Sequence, residues 1–282
     1  MTTPVLNGLD MAGALHERPS VGQNGVPFFN QTTRTVDWYD EAASSWVQSF
    51  PVMGNRVSLY WKAGLRGKPA LNADIQNAAE ATRMIADPDF ELLGTNAVSG
   101  SAAFNAEGGV RLTTAGADAD QVILLPHLDA NQSAWTQWTW GADKQTVWQA
   151  KIASGSNIGN AIIWAGLKLT NTPTTATDND QVFFRYQNGV NSGKWQAIYS
   201  IGNTDSANDS GVTVAVSTHY HFVIAIDSSR IARMFINGAL VKTSTALTDA
   251  TDFIPYIGVQ ASGAAAAKAI DVYEQAISRV RG

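Results

Sequence analysis

The stretch Ile224-Ala-Ile-Asp-Ser-Ser-Arg-Ile-Ala-Arg-Met-Phe-Ile-Asn-Gly-Ala-Leu-Val241 reads as strand, turn, strand, turn, strand. Its apolar runs are short and rich in Ile, Val and Phe, the residues that suit a pleated surface. They are separated by Asp227-Ser228-Ser229 and by Asn237-Gly238, and an Asn-Gly pair supplies the left-handed backbone that a two-residue hairpin turn requires. The first of these runs begins further back, at His219.

The same texture continues on both sides. Gln181 to Gln187 is bounded by Asp178-Asn179-Asp180 and by Asn188-Gly189, and Lys194 to Ser200 follows at hairpin distance. Ile254-Pro-Tyr-Ile-Gly258, Ala269 to Tyr273 and Ile277 to Val280 complete the series. Many short strands with turn residues between them predict an all-β jelly-roll sandwich from residue 89 to residue 282. Ala261 to Ala267 lies between two of these strands and reads as a loop.

The first 88 residues differ. Residues 1–68 are rich in turn formers and aromatics, with an Asn24-Gly25 hairpin signal, Phe28-Phe29, Trp38-Tyr39 and Trp46. They read as a β-rich arm or attachment module. Residues 69–88 read as one linking helix: Pro69 suits a first turn, Asp87-Pro88 ends it, and Leu71, Ile75, Ala78, Thr82 and Ile85 form one stripe. That stripe suits a helix lying on the sandwich, or a short inter-subunit coiled coil.

Composition narrows the function. Only 15% of the residues are charged, and the net charge is -5. This balance argues against a nucleic-acid partner, which needs clustered Lys and Arg. There is no cysteine, so disulfides and thiolate metal sites are excluded. The first residues carry no basic, apolar leader, and no apolar run is long enough to span a membrane. The chain is therefore expected to be made in the cytoplasm and to reach any exterior location through assembly or lysis.

The segment from Ile224 to Val241, followed by Pro255-Tyr-Ile-Gly258, resembles the concanavalin A-like lectin/glucanase (laminin-G-like) sandwich. There a strand ending in Asp precedes an "F-I-N-G-x-x-V" hairpin and a later "Y-I-G" strand. The stretch Gly22 to Val47, with Thr35-Val-Asp-Trp-Tyr-Asp40 and Ser45-Trp-Val47, is similar to short modules of phage tail-fibre and other virion proteins. Together the two resemblances imply a virion surface protein, a tail-fibre, head-fibre or capsid-decoration subunit. It would contact other virion proteins through residues 1–88, assemble as a homotrimer and display a lectin-like domain for host glycan. A stand-alone carbohydrate-binding module is the alternative, and a glycoside hydrolase a third reading.

Glucanases of this fold carry E-x-D-x-x-E on one strand, because a retaining mechanism holds its two carboxyls about 5 Å apart. The six glutamates here, Glu17, Glu41, Glu80, Glu91, Glu107 and Glu274, form no such motif. No catalytic residue, cofactor or metal is therefore expected. Asp178, Asn179 and Asp180 are ordinary turn formers and also the one place to look for calcium. His219 and His221 share a strand face, which suits a metal or a partly exposed strand edge. The Gly189 to Lys194 segment lacks the spacing and the Ser or Thr of a phosphate loop.

Five of the nine tryptophans lie between Trp135 and Trp164. They suit a sugar-stacking platform or plain core packing. Alternation places Val182, Phe184 and Tyr186 on one face and Phe183, Arg185 and Gln187 on the other. The second set, joined by Gln196 if Trp195 and Tyr199 point inward, is the candidate glycan-binding face.

Overall fold

A computed structural model describes residues 12–13, 27–30, 35–40, 45–51, 56–62, 70–71, 90–126, 139–169, 179–249, 251–263 and 266–280. Twenty strands run along it. The first six are β1 (Ala12–Gly13), β2 (Pro27–Asn30), β3 (Thr35–Asp40), β4 (Ser45–Pro51), β5 (Arg56–Lys62) and β6 (Ala70–Leu71). There follow β7 (Phe90–Leu93), β8 (Ala102–Phe104), β9 (Val110–Thr113), β10 (Gln121–Pro126), β11 (Val147–Ser154), β12 (Ala161–Lys168) and β13 (Gln181–Gln187). The last seven are β14 (Lys194–Ile201), β15 (Thr204–Thr213), β16 (His219–Ile226), β17 (Ile231–Ile236), β18 (Ala239–Ala246), β19 (Ile254–Ala261) and β20 (Ala269–Val280).

The expected all-β sandwich is present. A first sheet runs β15-β14-β13-β12-β19-β10-β7-β6, and a second runs β18-β17-β16-β11-β20-β9-β8, with β5 also on β20. Apart from the short parallel pair β6–β7, the pairings in both sheets are antiparallel. Neighbours such as β12 and β19 are distant in sequence, which makes the topology that of a jelly-roll sandwich rather than a simple meander. Strands β1 to β4 form a separate four-stranded sheet.

The hairpins form where the turn residues predict. Asn237 and Gly238 both have positive φ, and Ile236 pairs with Ala239 across them. Asp227 closes the preceding turn: its Oδ1 accepts from the backbone N–H of Ser229 at 2.8 Å and of Ile231 at 3.0 Å, and its Oδ2 from Arg233 at 2.8 Å. The polar side chain thus replaces ladder partners the turn cannot supply.

The inward faces of the two sheets meet around Trp195. Its ring stands edge-on to Phe222 at 4.9 Å, to Tyr220 at 5.3 Å and to Tyr186 at 6.1 Å, while Phe184 stacks on Phe222 at 4.7 Å. Trp148 is fully buried in the same core. Trp140 and Trp164 are also buried, so the described tryptophans of the Trp135–Trp164 cluster serve packing; Trp135 and Trp138 lie outside the described residues.

Four features depart from the sequence reading. Ala70 and Leu71 pair in parallel with Glu91 and Leu92, so the chain is extended where a first helical turn was expected; the rest of the expected helix lies outside the described residues. Arg56–Lys62, read as part of the arm, pairs residue for residue with Glu274–Val280 of β20. The terminal strand is one twelve-residue element with a register shift opposite Lys151 and Ile152, a bulge that two short strands cannot be told from in sequence. Strand β15 has no apolar run at all; its alternating exposure marks a polar edge that pattern reading passes over.

Replacing Trp195 with Ala is expected to lower stability by about 3–5 kcal/mol, because a large buried ring leaves a cavity that its aromatic neighbours cannot fill. Chemical denaturation of the full-length chain measures it, and a loss below about 1 kcal/mol would mean the core does not depend on this ring.

Candidate functional site

The outward face of the first sheet is built from aligned rows. One row runs Leu93, Ile123, Gly258, Trp164, Arg185, Gln196 and Asp209; the next runs Gln121, Gln260, Ile162 and Gln187. Gly258 leaves room for the Trp164 indole, from which a Cβ at that position would lie 3.0 Å. Trp164 in turn stacks on Tyr256 at 5.8 Å. These rings belong to a second apolar cluster with Ile123, Leu125, Ile162, Phe183, Ile198 and Ile254, on the side of the sheet away from the main core.

All four predicted glycan-binding residues stand on this face. Arg185 and Gln196 touch: the guanidinium donates from Nε at 3.2 Å and from Nη2 at 3.0 Å to one amide oxygen. Gln187 is half-buried beside them, in the same row as Gln260, and Gln260 accepts from Gln121 at 2.7 Å. Phe183 differs from the expectation of an open ring. It is only 6% exposed, packed into the second apolar cluster, and offers no free stacking surface. The face is apolar and closed at its centre and amide-rich at one end.

Arg185 has an uncommon environment. Its hydrogen-bond partner is a neutral amide, and burial pulls its pKa below the ordinary guanidinium value, with Asp205 acting the other way. With no carboxylate bonded to it among the described residues, this partly buried cation keeps a capacity for further acceptor oxygens.

The other sequence candidates sit elsewhere. The Asp180 carboxylate ties two loops together, accepting from Gly202 N–H at 3.4 Å and from the Thr248 hydroxyl. Asn179 accepts from the Asn203 N–H at 2.7 Å through its backbone oxygen, and Asp178 lies outside the described residues. His219 and His221 do share a face of β16, as alternation requires. Among the described residues no three of His, Cys, Asp and Glu converge to hold a metal ion.

A cleft of about 350 Å³ opens on the outward face of the second sheet, and sequence reading missed most of it. The ladder lines up Ala103, Arg111, Asp271, Ala153 and His219 across five strands. Arg111 forms a bidentate pair with Asp271, Nε to Oδ1 at 2.9 Å and Nη2 to Oδ2 at 2.8 Å, and this pairing raises the guanidinium pKa. The bulge in β20 delivers Tyr273, whose hydroxyl donates to Glu107 Oε2 at 3.0 Å and whose ring lies 5.1 Å from that of His219. Glu107 Oε2 is 3.6 Å from His219 Nε2. The turn carrying Glu107 is braced by Asn105, whose side-chain oxygen accepts from the N–H of Glu107 and of Gly109. Gly109 lets this turn close on Tyr273, because a Cβ there would come within 2.8 Å of the ring. A sequence signal did exist: Asp271 and Tyr273 alternate with Ile270 and Val272.

Burial first, and the bond to Glu107 second, push the Tyr273 phenol up to about 12. The folded state therefore holds this proton more tightly than the unfolded chain. The associated stability is fully present below the ordinary phenol value near 10 and is lost as pH rises towards about 12. Tyr273→Phe is expected to remove that part of the alkaline loss of stability, seen as a flatter dependence of the denaturation midpoint on pH. An unchanged slope would mean the phenol is not held as described.

No protein-family model matches the chain, and no curated protein matches it. Solved structures do. A protein of unknown function from Shewanella oneidensis MR-1 aligns with a TM-score of 0.53 at 10% identity, over 82% of this chain and 89% of that one. A native glycosidic hydrolase aligns with a TM-score of 0.50 at 10% identity, over 81% and 98%. Winged bean acidic lectin complexed with methyl-alpha-D-galactose aligns with a TM-score of 0.47 at 10% identity, over 80% and 100%. At such identities the likeness establishes the fold alone.

Proposed function

We propose that this chain binds carbohydrate without cleaving it, through the amide-rich end of the outward face of the first sheet. The observation that carries this reading is Arg185, half-buried, bonded to the neutral Gln196 and flanked by Gln187. Amides offer donor and acceptor side by side, and a guanidinium adds a directed fork, which together match the hydroxyl, ring-oxygen and carboxylate groups of a glycan. Such a site orients a ligand but supplies no acid and nucleophile pair.

The reading extends to a place on a phage particle. The likeness of residues 22–47 to virion modules supports it, as does the way β1 to β4 form a sheet of their own among the described residues while β5 joins the sandwich. Residues 1–51 are then the attachment module, β5 to β20 the displayed lectin-like domain, and the assembled subunit a homotrimer, a tail-fibre, head-fibre or capsid-decoration component.

On a glycan array, the full-length chain is expected to bind a defined subset of glycans, and Arg185→Ala to weaken that binding by at least about tenfold, the scale of one charged hydrogen bond. No binding to any glycan would overturn the carbohydrate reading; release of free sugar from a bound glycan would overturn its non-catalytic part. Light scattering of the full chain is expected to give three times the 30.1 kDa chain mass. Deleting residues 1–51 is expected to abolish incorporation into particles while leaving glycan binding intact; incorporation unaffected by the deletion would remove the virion role from this module.

A further inference from the structure

The cleft on the second sheet is a second site, on the opposite outer face of the sandwich from Arg185. Its volume, about 350 Å³, is at the small end of ligand pockets. Its charges do not balance. The one guanidinium in the lining, Arg111, is taken up bidentately by Asp271. Glu107 remains: its side chain is 69% exposed, one oxygen accepts from the Tyr273 phenol, the His219 imidazole, charged only if protonated, lies 3.6 Å away, and Arg111, which also feels its charge, is bonded to Asp271. A carboxylate held in place by a phenol, next to the mutually tilted rings of Tyr273 and His219, is an arrangement that draws a cation. The carboxylate supplies charge and the phenol ring its negative face.

We propose that this cleft binds an amino sugar, with the protonated amine on Glu107 and against the Tyr273 ring. The rest of the lining favours a sugar over a lysine-type side chain. Arg111, Asp271 and Ser217 also line the cleft, adding donors and acceptors that hydroxyl groups can use and a methylene chain cannot. Tyr273 is a positioning residue for Glu107 as well as a contact. Its phenol stays protonated across the physiological range, since burial pushes it up to about 12, so it remains a donor to the carboxylate. The site stands apart from the one on the first sheet and does not depend on it.

The test uses full-length protein at neutral pH and follows the imidazole C–H resonances of its four histidines by NMR, with His219→Gln identifying the reporter. Glucosamine is expected to move the His219 signals saturably, and glucose to move them at least about tenfold less readily, the difference one ammonium–carboxylate contact makes. Glu107→Gln, an exposed change in a turn, is expected to weaken glucosamine binding by a similar factor without altering the melting temperature. Tyr273→Phe is expected to weaken it less, since the ring is kept and only the anchor of Glu107 is lost. Glucosamine without effect on His219, glucose equal to glucosamine, or Glu107→Gln equal to wild type would each overturn the proposal. Nα-acetyl-lysine amide binding as well as glucosamine would overturn its assignment to a sugar. Because the readout is His219, a negative glycan array for the first sheet leaves this result independent.

Discussion

Trp195 on β14 fills the space between the two sheets, and the positions of both candidate faces depend on how it is packed. Its edge-on contacts with Phe222 and Tyr220 of the second sheet and Tyr186 of the first fix the spacing and lateral placement of the layers. Period-two alternation does the rest. With Trp195 inward, Gln196 must face out, and the antiparallel register then sets Gln196 against Arg185 and Arg185 against Trp164. A slip of one residue would bury the arginine and expose the core rings, so the register is strongly specified.

Both sheets bury apolar side chains on their outward faces too. Beyond the cluster around Trp164, Val147, Val223, Ala225 and Phe235 form a third one on the outside of the second sheet. The outer faces are therefore not uniformly solvated surfaces, and polar chemistry is confined to where these clusters stop. The amide strip begins where Trp164 and Phe183 give way to Arg185 and Gln187, and the cleft begins where the ladder reaches Arg111, Asp271 and His219.

Strand β20 has a special part in this. It pairs with β11 along one side and with β9 and then β5 along the other. Its bulge lets Val272 and Ile277 both reach the core while Tyr273 is turned to the cleft. A regular strand of the same length would have had to give up one of these positions. The rigidity of a central strand thus places a phenol against a carboxylate that comes from a loop.

The sequence by itself determined the fold class and the local turns, because both rest on short-range physics. Asn237-Gly238 and Asp227 make their turns by backbone preference and side-chain capping, and alternation separates Phe184 from Arg185 without reference to any partner. It could not reveal β15, which is polar and paired in the sheet with β14. It could not reveal the pairing of β5 with β20 either, nor that Phe183 is covered. Only the tertiary structure brought Glu107, Arg111, His219, Asp271 and Tyr273 into one cleft. These residues lie on segments up to 166 positions apart, and their contacts arise from sheet register and one bulge, which no local pattern encodes.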